Sequence, residues 1–154
     1  MTQLNEGDVA PDFTLPTDED EVSLSALKGK TVVLYFYPKD DTSGCTVEAQ
    51  DFTARKAAFE KASATVIGVS KDSVKKHANF RKKYDLTHAL GSDETGEMLE
   101  RYGVWVEKSM YGRKYMGISR DTFLIGPDGR IKRIWRKVKV PGHAEEVLGA
   151  VKAS

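Results

Sequence analysis

The chain contains one thiol, Cys45, in the stretch YPKDDTSGCTVEAQDF, Tyr37 to Phe52. Such a residue is either a nucleophile or a small buried filler, and its thiolate is the reactive form. A free thiol titrating near pH ~8.5 is about 3 % ionised at pH 7, whereas one titrating near ~6 is about 90 % ionised. That difference is worth roughly 3.4 kcal/mol, so several groups must converge on a sulfur to activate it. Thr42, three residues earlier, offers a hydroxyl that can cap a helix or hydrogen-bond the sulfur and a bound ligand. Gly44 removes bulk beside the thiol, so a small substrate can approach the backbone. Lys39 sits too far back in the loop to aim its charge at the sulfur, so a distant arginine has to help.

These residues need elements to place them. TVVLYFY, Thr31 to Tyr37, is β-branched and aromatic without alternation, the pattern of a strand buried on both faces. Apolar and small positions from Cys45 to about Lys61 predict one helix, which puts Cys45 in or near a first turn whose unpaired N–H groups favour an anion. DFTL and EVSL around PTDED predict an N-terminal hairpin, and ATVIGVS, Ala64 to Ser70, a second buried strand. Asp72 or Ser73 is placed to cap a helix running to Tyr84, and TGEMLERYGV predicts a short helix closed by Gly103. DTFLIGPDGRIKRIW predicts strand, turn and strand, and HAEEVLGAVKA a closing helix. The expected architecture is α/β, a mixed sheet with helices on both faces, with Cys45 just beyond the carboxyl end of a central strand.

Pro38, Thr42 and Cys45 fit the P-x-x-x-[TS]-x-x-C motif of peroxiredoxins, and FYPKDDTSGCTVEAQDF resembles the bacterioferritin comigratory protein, or peroxiredoxin Q, subfamily. VAPDFTLP, VIGVSKDS and YGRKYMGISRDTFLIGPDGRI follow in the order that subfamily shows, so the resemblance covers nearly the whole chain. It implies a thioredoxin-like fold and a thiol-dependent peroxidase in which Cys45 attacks hydrogen peroxide or small organic hydroperoxides and becomes a sulfenic acid. Matching GISRDTFLI to the family's second motif makes Arg120 the distant arginine. By the same resemblance Glu48 orients Arg120, Pro38 shields the sulfur, and Thr42, Arg120 and the Cys45 N–H hold the two peroxide oxygens. No metal or organic cofactor is implied. Many members carry a resolving cysteine five residues after the first, where this chain has Gln50, so the resemblance is to a one-cysteine variant. Its partner would be an external thiol reductant: thioredoxin, glutaredoxin or a small thiol. The alternative is a redox relay in which oxidised Cys45 forms mixed disulfides with client proteins.

The rest of the chain sets bounds. Its 154 residues predict a single domain, 1–154, without repeats or linkers; a monomer or weak homodimer is the expected state, though chain length does not set it. With 24 Lys+Arg against 23 Asp+Glu, the net charge of +1 gives no global attraction to nucleic acid or membrane. The first residues lack the pattern of a signal peptide and no apolar run approaches ~20 residues. One cysteine excludes an internal disulfide framework, and together these features lead us to expect a soluble cytoplasmic protein. GKT, Gly29 to Thr31, lacks the first glycine of a phosphate loop and precedes a strand. His77, His88 and His143 have no metal-ligand spacing, and RIKRIWRKVK, with six Lys or Arg residues, is expected to be a strand with one solvated face rather than a nucleic-acid patch.

Overall fold

A computed structural model describes residues 3–154. The N-terminal hairpin pairs β1 (Thr14–Pro16) with β2 (Glu21–Ser23). Then follow β3 (Thr31–Phe36), α1 (Ser43–Ala54), α2 (Lys56–Lys61), β4 (Ala64–Ser70) and α3 (Val74–Tyr84). The second half contains β5 (Ala89–Ser92), α4 (Glu97–Arg101), β6 (Trp105–Met110), β7 (Arg113–Ile118), β8 (Thr122–Ile125), β9 (Ile131–Trp135) and α5 (His143–Ala153). No helix among the described residues is long and apolar enough to cross a membrane.

The central sheet has the order β5-β4-β3-β8-β9, parallel across β5, β4 and β3 and antiparallel from β3 to β8 and from β8 to β9. β3 lies in the middle and all six of its residues are buried, as a strand covered on both faces must be. One face carries Val32, Leu34 and Phe36 into a core with Phe13, Leu99, Tyr102 and Phe123. The other carries Val33 and Tyr35 into a core with Phe52, Phe59, Phe80 and Val147, beneath the main helices. This is the mixed, two-faced sheet expected from the sequence, and its chain reversal at the end of β3 delivers the loop that leads to Cys45.

Three features depart from the expected elements. The helix from Cys45 to Lys61 is broken at Arg55, which leaves helical geometry at φ −106°, ψ 7°. Its N–H bonds the Phe52 carbonyl three residues back, while its Nη1 takes, at 3.1 Å, the Asp51 carbonyl that this same N–H would bond in a continuing helix. β5 and the β6–β7 hairpin did not stand out in the sequence. That hairpin turns through Tyr111 and Gly112, both at positive φ (52° and 76°), a two-residue turn that rarely contains tyrosine.

The packing under α1 is tight at Gly68 on β4. A Cβ there would lie 2.7 Å from the ring of Tyr35, which is stacked on Phe52 at 4.7 Å and bonded to His88 Nε2 at 2.6 Å, so it has no room to yield. Gly68→Ala is expected to lower the unfolding free energy by about 1–3 kcal/mol, read as a reduced urea midpoint. An unchanged midpoint would contradict this account of the core.

Candidate active site

Cys45 is the third residue of α1, and only 1 % of its surface is exposed. The intrahelical ladder begins where Thr46 N–H bonds the Thr42 carbonyl at 2.9 Å, so the N–H groups of Ser43, Gly44 and Cys45 project from the helix end. Their positive end is a favourable setting for an anion.

Arg120, 75 residues further along the chain, reaches this helix end. Its Nη2 donates to Cys45 Sγ at 3.3 Å and its Nη1 to Glu48 Oε1 at 2.6 Å. Glu48 is three residues after Cys45 and shares its helix face. Arg120 is held at both ends of its own segment: its carbonyl accepts Val138 N–H at 2.8 Å, and the next carbonyl, of Asp121, accepts Phe36 N–H at 2.8 Å. The Asp121 carboxylate takes Ser119 Oγ, Arg136 Nη1 and Lys137 N–H, which fixes the approach to β8. Gly44 eases the crossing, because a Cβ there would stand 3.3 Å from Arg120 Nη2 and push the guanidinium by a few tenths of an ångström. The space left by that glycine is therefore occupied by the guanidinium.

The charges in this pocket act on one another. Burial pushes the Glu48 carboxyl up to about 7, against the pull of Arg120 and with a small push from Asp51. Its second oxygen, Oε2, is buried without a hydrogen-bond partner, so nothing at that atom favours the charged form. Burial alone would lower Arg120, but the charges of Glu48 and Cys45 outweigh it and raise the guanidinium further. Lys108, half-buried on β6, is lowered by burial and by Arg120, while Cys45 and Asp121 pull it the other way.

The remaining expected site residues lie on the preceding loop. Pro38 is half-buried immediately after Tyr37. Thr42 stands at the N-cap position with extended backbone, but its side chain does not cap: the hydroxyl turns back and donates to the Lys39 carbonyl at 2.8 Å. Of the two possibilities raised by the sequence, capping is therefore set aside. Its donor is spent on Lys39 before it can serve the sulfur, and only its oxygen lone pairs remain. The structure thus joins Cys45 and Glu48 through Arg120 and leaves Pro38 and Thr42 in the loop that leads into α1. Gln50 is exposed on α1.

Nothing in the sequence singled out Asp40, and His77 stood there as an ordinary histidine without metal-ligand spacing. All three histidines are buried, and His88 and His143 are kept neutral because burial lowers them to about 3 and about 4. His77 Nδ1, however, lies 2.6 Å from Asp40 Oδ2, in the loop that leads to Cys45. The two are 37 residues apart, and no spacing rule could have joined them.

Comparison with known proteins places this geometry in context. Residues 7–134 match the AhpC/TSA family. A Coxiella burnetii protein named as a peroxiredoxin bcp is 55 % identical over 144 residues, covering 93 % of this chain and 95 % of the relative. Peroxiredoxin Bcp of Bacillus subtilis is 48 % identical over 147 residues, covering 95 % and 94 %. The solved bacterioferritin comigratory protein of Xanthomonas campestris, studied for alkyl peroxide reduction, superposes with a TM-score of 0.89 at 44 % identity, covering 97 % of this chain and 96 % of that one.

The raised Glu48 carboxyl has a consequence for stability. Between about pH 4.5 and 7 the folded state keeps a proton that the unfolded chain has lost, so this group makes stability fall as pH rises through that window. Below the window both states hold the proton, and above it neither does. Wild type is expected to lose up to about 3 kcal/mol more than Glu48→Gln on going from pH 4.5 to 7.5, measured by urea unfolding. Parallel pH profiles for the two proteins would show that Glu48 is not perturbed.

Proposed function

The chain belongs to the AhpC/TSA family and is a thiol-dependent peroxidase; on that premise we propose that Cys45 is the reacting thiol and that Arg120 is its principal activator. One contact carries the reading, the 3.3 Å approach of Arg120 Nη2 to Cys45 Sγ at the start of α1. A guanidinium in a mostly dry pocket stabilises charge far more than it would in water.

The Cys45 thiolate attacks the distal oxygen of R–O–O–H. A sulfur–oxygen bond forms, the O–O bond breaks, and the two electrons lost by sulfur leave on RO⁻, which takes a proton to become water or an alcohol. As the sulfur's charge passes to the leaving oxygen, Arg120 and the first-turn N–H groups remain opposite it, so the same donors serve both states. Glu48 holds Arg120 in that position. Thr42, its own proton committed to Lys39, offers an acceptor to the peroxide O–H, and Pro38 limits access of bulk water.

Recycling follows from the lone cysteine. A first external thiol condenses with the Cys45 sulfenic acid to give a mixed disulfide and water, and a second releases Cys45 as a thiol. The reductant is a thioredoxin, a glutaredoxin or a small thiol, in a reducing compartment such as the cytoplasm. Every residue invoked comes from one chain, so a monomer or weak homodimer suffices. Substrates are hydrogen peroxide and organic hydroperoxides.

Stoichiometric peroxide is expected to add one oxygen atom to wild type, detected by mass, and none to Cys45→Ser. Arg120→Gln is expected to slow that oxidation by about 10²–10³-fold. An Arg120→Gln protein that oxidises at the wild-type rate would remove the arginine from the mechanism.

A further inference from the structure

The loop from Tyr37 to Thr42 is held by a buried hydrogen-bond network that the peroxide chemistry does not touch. His77, on α3, is fully buried. Its Nε2 lies 3.1 Å from the Gly91 carbonyl of β5, and because a carbonyl only accepts, Nε2 carries a hydrogen. Its Nδ1 lies 2.6 Å from Asp40 Oδ2, a separation that requires a proton between the two atoms. The other Asp40 oxygen accepts Tyr37 O–H at 2.6 Å, and Asp40 N–H donates to Asp72 Oδ2 at 2.8 Å. That Asp72 oxygen also takes Ser70 O–H at 2.8 Å. Through Asp72 and His77, Asp40 thus ties the loop to the ends of β4 and β5 and to α3.

We propose that Asp40 and His77 form a proton-holding latch that positions the loop carrying Pro38 and Thr42 against Cys45, a role that rests on Cys45 being the peroxide-reducing thiol. Both ways of placing the proton keep it in the bridge: imidazolium with carboxylate, or neutral imidazole with carboxylic acid. Without it, either Asp40 Oδ2 or the Gly91 carbonyl would face a nitrogen lone pair. The residue after the latch, Asp41, adopts φ 62°, a region that side chains rarely occupy. Its carboxylate is held there by Tyr84 O–H at 2.6 Å and Lys83 Nζ at 2.9 Å, both also from α3. Thr42 follows as the N-cap position of α1.

Such a cluster is a costly way to fill a core, because apolar side chains of similar volume would avoid the desolvation of charged groups. What it adds is direction, since each bond restricts the loop to one backbone course. Asp40, Asp72 and His77 do offer donor atoms within 4.8 Å of one another, as a cation site would. Nδ1 and both Asp40 oxygens are already engaged in bonds that hold the loop, so the latch accounts for the cluster without an ion.

The test uses a substitution that preserves geometry while replacing the proton shared by imidazole and carboxylate with a fixed amide N–H. In Asp40→Asn, Oδ1 can still accept from Tyr37, and Nδ2–H can donate to a neutral His77 whose Nε2–H stays on Gly91. Single-turnover oxidation of Cys45 by hydrogen peroxide is expected to slow about tenfold or more in His77→Leu and Asp40→Ala, through misplacement of the loop. Asp40→Asn should stay within about threefold of wild type, because its bonds are retained. A strongly downfield proton resonance should be present in wild type and absent from Asp40→Asn. If His77→Leu does not fold, Tyr37→Phe, which removes one latch bond and almost no volume, should still slow oxidation by about threefold. A folded His77→Leu or Tyr37→Phe that oxidises at the wild-type rate overturns the latch, and so does an Asp40→Asn as slow as Asp40→Ala. A wild type that never oxidises Cys45 sinks the peroxidase reading itself, whereas a normal wild type beside equally fast variants sinks the latch alone.

Discussion

Arg120 is asked to hold two partners at once, a sulfur at 3.3 Å and a carboxyl oxygen at 2.6 Å, both on buried residues. A guanidinium can do this because it is a planar fork with several fixed donors, whereas a lysine would offer a single mobile point charge. Much of the surrounding architecture serves that fork. Glu48 must be on the same helix face as Cys45, one turn along, and Gly44 leaves room where the guanidinium crosses. The antiparallel entry of β8 beside β3 then delivers Arg120 to the end of the sheet where α1 begins.

Glu48 adds a tension. A carboxyl that is 2 % exposed favours its neutral form, yet it faces a cation that favours the charged one, and burial wins by enough to move it up to about 7. Near neutral pH the share of Arg120's charge left for the sulfur therefore depends on whether Glu48 has lost its proton. The loop leading to Cys45 is fixed differently, by buried hydrogen bonds that join Asp40 to Tyr37 and His77. An activated thiol needs both: a charge that can lean toward it and a loop that cannot drift away from it.

The sequence made the sheet readable where burial was two-sided. β4 and α5 fall on the expected residues, and β3 ends one residue early, because long apolar runs and an amphipathic helix with acids in its first turn and a lysine in its last leave few alternatives. Ser73 caps α3 with its side chain accepting Lys76 N–H, while Asp72, the other candidate, is drawn into the loop network instead. β5 was hidden because ALGS is too short and too small to signal a strand, and β6–β7 because WVEKSM and RKYMGI are largely exposed on both faces. Around Cys45, residue types within eight positions implied an activated thiol. The identity of its arginine came only from likeness to a family, and the Asp40–His77 contact came from neither, since it exists only through tertiary folding.

A sulfur with 1 % of its surface exposed leaves little room for a bulky reductant, so the folded pocket described here is foremost a device for the peroxide step. Its central claim is that Glu48 acts on Cys45 through Arg120 and not independently. The direct measurement is a double-mutant cycle on the single-turnover rate of Cys45 oxidation, using Glu48→Gln, Arg120→Gln and the pair together. If the account holds, the double variant is no slower than Arg120→Gln alone, giving a coupling of about 1 kcal/mol or more. Losses that simply add would contradict it.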